Sequence, residues 1–497
     1  MKNTVRFAAI MLCALAISGP AFAQNSNTHN PTWWAKYQNL LKNGPTSGGG
    51  GGSSVQVGSN VDVSSECGPQ SETFIALDPF HLNTLAAGSN EIFRLPMRGY
   101  FSTDGGASWG GVDLPLPPAI GTNGFDFGSD PSLAFDTQGN AFYSYIVVFF
   151  GAGKGASIKG TEMAVAKSGD GGRTYPFVNF FSFSGGQDHF NDKPMITTDK
   201  NANSAFRDNI YLAWDAASGG SAGGGIRVAT SRDHGASFTV VRADDPSGPG
   251  RSIGAVPFVG PDGVVYTAWN DYAANTIAFA RSSDGGTTWV RPNIVSTKSA
   301  AFDVGVPAES FRRALVYPAC DADRSSGTHR GRLYCSWMDL TPAGTTDIFL
   351  SFSDDQGATW SKARAVADSL PVDRFNHWLS VDPVTGDVTL SFYDTRNDNT
   401  GFRYQTDVYF TRSSDGGGTF LSPNVRVTDV SSNEHDCNGI FPCSGIDYGN
   451  QQGDYEGLVT VGGVAHPIWT DSRRQLESSS GCRVPLLMEE VFTATVE

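Results

Sequence analysis

The sequence predicts an all-β propeller, and three observations carry that prediction. A motif of the form Ser-x-Asp-x-Gly-x-x-aromatic recurs six times: Ser102/Asp104/Gly106/Trp109, Ser168/Asp170/Gly172/Tyr175, Ser231/Asp233/Gly235/Phe238, Ser282/Asp284/Gly286/Trp289, Ser353/Asp355/Gly357/Trp360 and Ser413/Asp415/Gly417/Phe420. Upstream of the copies, strands end in an aromatic followed by an acid: Trp214-Asp215, Trp269-Asn270-Asp271, Trp337-Met338-Asp339, Phe392-Tyr393-Asp394 and Trp469-Thr470-Asp471, with segments near Asn90 and Tyr145 in the same place. The C-terminal run Glu490–Thr495 copies Asp407–Arg412 but stops before a motif, while Val55, Val57, Val61 and Val63 alternate near the other end.

Each motif is a tight hairpin. Asp and Ser oxygens accept turn amides, Gly takes a positive φ, and the aromatic returns to the sheet as a packing anchor, so the aspartates are structural. The second periodicity counts seven units, one more than the hairpins, and the N-terminal valines supply the fourth strand that the last unit lacks. Seven four-stranded blades closed by strand exchange follow, or six if the first or last unit is irregular.

The segments ahead of the propeller differ in kind. Lys2 and Arg6, the apolar run Phe7–Ile17 and the small-x-small Ala21-Phe22-Ala23 read as a signal peptide over residues 1–23. Residues 24–54 hold one predicted helix, Pro31–Lys42, and a Gly/Ser linker, Thr46–Ser54; the propeller takes residues 55–497. No run reaches the roughly 20 apolar residues of a membrane-spanning helix, so a secreted or periplasmic protein without membrane insertion is expected. Loss of Cys13 with the signal leaves six cysteines, none at CxxC spacing, and Cys67 with Cys482, Cys320 with Cys335 and Cys437 with Cys443 are the expected pairs. A net charge of −15 without a Lys/Arg run excludes nucleic acid as a partner.

If the strands of a blade run A to D outward and the motif joins C to D, the hairpins share one face with the A-to-B turns. The opposite face collects the starts of the A strands, and ligands sit where such loops converge on the axis. Its residues include Asp188, His189, Asp192 and Lys193, then Arg251, Glu309, Arg312 and Arg313, then Asp373, Arg374, His377 and Trp378. Arg396 and Arg473 stand two residues after the acid that ends strand B, and either tie neighbouring loops by ion pairs or bind a carboxylate bidentately. Trp378 is the one tryptophan outside the repeat anchors and the N-terminal helix, and is either a packing residue between blades or a sugar-stacking platform. Asp454-Tyr455-Glu456 opens the last inner strand, with Tyr455 either an ordinary strand aromatic or a reactive phenol.

On these hairpins and their propeller, from Val55 to the C-terminus, the chain resembles bacterial Asp-box (BNR-repeat) proteins of the sialidase superfamily. Phe93-Arg94-Leu95-Pro96 is similar to that family's Phe-Arg-Ile-Pro signature. The resemblance implies exo-α-sialidase chemistry: three arginines on the substrate carboxylate, a Tyr nucleophile assisted by a Glu, and an Asp as acid/base. Carried over, Arg94 is the first arginine and Arg313, Arg396 and Arg473 are the pool for the others. Tyr455 or Tyr448 is the nucleophile, Glu309 or Glu456 its partner, Asp454 the acid, and Trp378 a substrate contact. Two features depart from the family pattern: Arg94 follows a B strand only ten residues before Asp104, and seven units replace the sialidase six.

The expectation is therefore a secreted, monomeric glycoside hydrolase acting on a carboxylate-bearing glycan. Its rivals are a non-catalytic glycan- or protein-binding propeller and a polysaccharide lyase in which His189 or His377 works with Tyr455 on a uronate. No cofactor is expected. Asp321-Ala322-Asp323-Arg324-Ser325 alternates oxygens as a calcium loop does, without the full ligand set of an EF-hand.

Overall fold

The computed structural model describes residues 55–65, 69–91, 95–117, 126–150, 158–185, 189–218, 224–245, 251–309, 312–435, 452–476 and 486–497. The signal peptide, the predicted helix and linker, Arg94, Asp188, Tyr448 and all cysteines but Cys320 and Cys335 lie outside them. Among the described residues the one helical element is the short 3-10 turn Pro307–Glu309. No helix there is long and apolar enough to cross a membrane.

Short strands rich in β-branched and aromatic residues, punctuated by Gly, Asn and Asp, assemble into seven four-stranded antiparallel sheets. The inner strands of blades 1 to 7 are Gln70–Leu77, Asp126–Phe135, His189–Thr198, Ser252–Val259, Pro318–Ala322, Arg374–Val381 and Gly457–Val461. Blade 6 carries an extra short strand, Ser432–Asn433, on Gln405–Ser413. Blade 7 is closed by the other end of the chain: Val61 pairs with Thr493 and Asp62 with Phe492, and Gln56 and Glu497 exchange backbone hydrogen bonds at 2.8 and 2.9 Å. Closure leaves no unpaired end blade to fray.

All six hairpins adopt one geometry. The Ser hydroxyl donates to the Asp carboxylate at 2.7 or 2.8 Å and accepts the Gly amide at 2.8 or 2.9 Å, and each Gly sits at φ between 79° and 90°. In the first, the Ser108 hydroxyl and amide hold the Asp104 carboxyl down to about 2. Trp214, Trp269, Trp337 and Trp469, all on second strands, are fully buried, and each contributes roughly 2–3 kcal/mol of apolar burial to blade stacking. Cys320 and Cys335 face each other on the first two strands of blade 5 and form a disulfide.

A second repeated device lies where the inner strands begin. In blades 1, 2, 3, 4 and 6 the pairing of the first two strands slips by a bulge, between Ser71 and Phe74, Ser129 and Ser132, Asp192 and Met195, Ile253 and Val256, and Phe375 and Trp378. One residue in each bulge is left-handed: Glu72 (φ 50°), Asp130 (61°), Lys193 (53°), Gly254 (71°) and Asn376 (43°). For the four that are not glycine this conformation is strained, and bulges re-aim the side chain they carry.

Candidate functional site

The bulges of blades 1, 2 and 3 bring Glu72, Asp130 and Lys193 to one place on the axis, at the face opposite the hairpins. The start of blade 7 adds Asp454. A two-stranded ribbon inserted between blades 4 and 5, Asp303–Val304 paired with Ala314–Leu315, adds Arg312 and Arg313. Together with Asn90, Asp192 and Phe302 they line a cavity of about 370 Å³.

The Lys193 ammonium lies 2.8 Å from Glu72, 2.6 Å from Asp454 and 3.6 Å from Asp130. The Arg312 guanidinium contacts the same acids, at 3.2 Å from Glu72 and 2.7 Å from Asp454. Asn90 donates its amide to Glu72 at 2.9 Å and accepts the Asp130 backbone amide at 2.7 Å, which fixes the two bulges against each other.

Four carboxyls, those of Glu72, Asp130, Asp192 and Asp454, thus meet two cations. Uncompensated charge is costly in such a setting, so the cluster is neutral only when it holds two protons. The direction of each titration agrees with this count. Burial pushes Glu72 up to about 8 and Asp192 well above the usual carboxylate range. Burial acts on Asp130 and Asp454 in the same sense and is the largest single influence on each, but the Lys193 ammonium together with hydrogen bonds from neighbouring groups and, for Asp454, the Arg312 guanidinium outweighs it and holds both below that range. Lys193 is held well above its usual value against its own burial by Asp130, Asp454 and Glu72. The site therefore sets carboxyls whose titration is driven up beside carboxyls whose titration is driven down, close to one ammonium, an arrangement that acid/base chemistry uses.

Of the residues that the sequence placed on this face, Asp192, Lys193, Arg312, Arg313 and Asp454 line this cavity. Arg313, itself left-handed at φ 68°, is half-exposed at the mouth and pairs with Asp303 at 2.9 Å. Glu309 is buried on the 3-10 turn of the ribbon and does not line the cavity, but its charge helps hold Arg312 protonated. Tyr455 lies directly beneath, its ring 5.6 Å from the Lys193 ammonium, while its hydroxyl donates to the Pro131 carbonyl at 3.0 Å.

Arg396 and Arg473 are not brought to the cavity. Arg396 pairs with Asp368 and Asp394, each at 2.6 Å, and stacks 3.9 Å from the Tyr409 ring centre. Arg473 repeats this in blade 7, pairing with Asp429 and stacking on Phe492. Both occupy the loop-tying role. Trp378 packs edge-on against Phe74 at 5.0 Å and lines a different cavity. His377 is buried and hydrogen-bonded to the Ser336 hydroxyl at 2.8 Å, and burial pushes its imidazole down to about 4. In the Asp321–Ser325 loop, Asp321 pairs with Arg324 and accepts the Val381 amide, and Asp323 accepts the Ser325 amide.

Sequence reasoning missed Glu72, Asp130, Asn90 and Phe302. A signal for the first two was present: Glu72, Asp130 and Lys193 each stand six residues before an Asp that directly follows an inner strand, Asp78, Asp136 and Asp199.

The fold and site define a seven-bladed propeller with an axial cavity lined by clustered carboxyls and cations. No protein-family model matches the sequence, and no curated protein matches it. Among solved structures, the leech intramolecular trans-sialidase is similar over 77% of this chain and 73% of its own, at 13% identity and a TM-score of 0.48. The intramolecular trans-sialidase of Ruminococcus gnavus is similar over 67% and 91%, at 14% identity and 0.42. An α-L-arabinofuranosidase of Fusarium graminearum is similar over 74% and 92%, at 10% identity and 0.41. At such scores these likenesses do not bear on the reaction.

Proposed function

We propose that the chain is an exported glycoside hydrolase acting on a carboxylate-bearing glycan, with the axial cavity as its active site. The observation that carries this reading is the pairing of Glu72 with Asp454 on one cavity wall, both against Lys193 and Arg312, with their titrations driven in opposite directions. Two carboxyls so divided can serve as general acid and as counter-charge to an oxocarbenium-like transition state. In this scheme Glu72 protonates the departing glycosidic oxygen, Asp454 stabilises the positive charge that develops at the sugar, water then adds to the anomeric carbon and returns its proton to Glu72, and Arg313 at the mouth receives the substrate carboxylate. The scheme assigns no nucleophilic role to Tyr455, whose hydroxyl is turned to a backbone carbonyl.

The test is release of 4-methylumbelliferone from its α-sialoside and its β-glucuronide by the mature protein. Turnover of either that falls by at least about 100-fold in Glu72→Gln supports the proposal. No turnover of either by folded protein overturns it. The second reading, a propeller that binds acidic glycans without cleaving them, draws on the placement of Arg396 and Arg473 in loop-tying ion pairs, which removes two arginines from substrate. Binding to a glycan array without product would select it.

A further inference from the structure

A second cavity, of about 480 Å³, occupies the axis at the face of the A-to-B turns, and all seven inner strands contribute to its wall. Phe135, Met195, Val256, Phe258, Leu379 and Val461 are among its apolar lining. Trp378 also lines it, and Tyr455, whose ring is 6.3 Å from Trp378 and 5.6 Å from the Lys193 ammonium, stands between it and the ion cluster. The polar side chains of the wall are largely spent on neighbouring strands. Thr198 donates its hydroxyl to the Phe135 carbonyl at 2.5 Å, Ser380 accepts the Thr460 amide at 3.1 Å, and the Thr460 hydroxyl meets that of Thr389 at 2.7 Å.

At the mouth the charge is not spent. Lys200 and Arg324 both line the cavity. Arg324 is held by Asp321 and the Val259 carbonyl. Lys200 has no hydrogen bond or ion pair with any described residue. Burial, with the Arg324 charge beside it, pushes its ammonium down to about 8, against the longer-range pull of Asp321, Asp199 and Asp136. An ammonium in that position favours an anion beside it, and the wall behind it is largely apolar.

We propose that this channel is a binding site for an amphiphilic organic anion, an alkyl or aryl carboxylate or sulfonate, with its apolar part along the axis and its head on Lys200. The site is separate from the acid/base cavity, and it stands whether or not the protein is a hydrolase.

The experiment is a fluorescence titration of the mature protein with 8-anilinonaphthalene-1-sulfonate, followed by displacement with decanoate held below its micelle concentration. One saturable site is expected, emptied by decanoate and not by decanol at equal concentration. Lys200→Glu should weaken it by at least about tenfold and Lys200→Arg by no more than about threefold, both with unchanged circular dichroism. Absence of saturable binding overturns the proposal, as does equal affinity in Lys200→Glu or displacement by decanol as effective as by decanoate.

Discussion

Replacing Lys193 by Met removes one of the two cations from the axial cluster while keeping an unbranched side chain, one atom shorter, at φ 53°. The side chain is 6% exposed and its ammonium touches Glu72, Asp454 and Asp130, so solvent cannot replace it in place. Four carboxyls then face Arg312 alone, and the folded variant must bind one proton more than the wild type. Protonating a carboxyl whose ordinary value is about 3.9 costs about 4 kcal/mol at pH 7 and about 1.5 kcal/mol at pH 5, at roughly 1.4 kcal/mol per pH unit. The value at pH 7 falls in the ~3–5 kcal/mol range for breaking a buried pair from one side. The sign follows from linkage. The added proton is held by a carboxyl whose folded value is raised, so the variant loses stability as pH rises above the unfolded value, and the gap from wild type widens with pH. Urea unfolding of both proteins at pH 5, 6, 7 and 8 measures it. A gap that stays constant across this range, or lies below about 1 kcal/mol at pH 7, would refute the neutral-cluster account.

The hairpins were legible because the bonds that define the motif lie within a few residues: the Ser102 hydroxyl donates to the Asp104 carboxylate and accepts the Gly106 amide. Strand count and closure followed from the same locality, since the last unit reads as a blade short of one strand and the valines near the N-terminus read as a strand short of a blade. The axial site depends instead on contacts across the ring, such as that between Lys193 and Glu72, 121 residues apart in sequence. Neither residue has a neighbour in sequence that reveals the other. Only the common spacing of six residues to the Asp that follows the inner strand marks them as equivalent.

Arg396 and Arg473 illustrate the opposite case. Their residue type suggested a carboxylate ligand, and they do bind carboxylates, but those of Asp368, Asp394 and Asp429 in the protein itself. Each also covers an aromatic ring of the third strand in its own blade, Tyr409 or Phe492. A guanidinium so stacked has little freedom left for a substrate. Glu72, Asp130 and Lys193 reach the axial cavity on bulges, and Asp454 and Arg312 reach it from the start of blade 7 and from the inserted ribbon, whereas Arg396 and Arg473, each two residues after a second-strand acid, do not.

Two further predictions concern the frame, and a third isolates the cost of the hairpin glycine. Cys320→Ala with Cys335→Ala opens a link between residues 15 apart and should cost up to about 3 kcal/mol in urea unfolding, by the chain-entropy argument. Removing the chain through Asp62 leaves Leu486–Thr493 as an open edge, so the truncated protein should associate, which light scattering after gel filtration would detect. Gly357 and Gly344 have similar backbones, φ 84° and 77°, but different surroundings: a Cβ on Gly357 would lie 2.2 Å from the Phe279 ring, and one on Gly344 meets nothing within 4 Å. Alanine at either position bears the left-handed penalty of about 1–2 kcal/mol. At Gly357 it must also displace a buried ring packed between blades, adding about 1–3 kcal/mol. Thermal unfolding should therefore separate the two variants, with Gly357→Ala the less stable. Equal losses would mean that the hairpin glycine is required for its φ alone, and that the aromatic packing beneath it yields without cost.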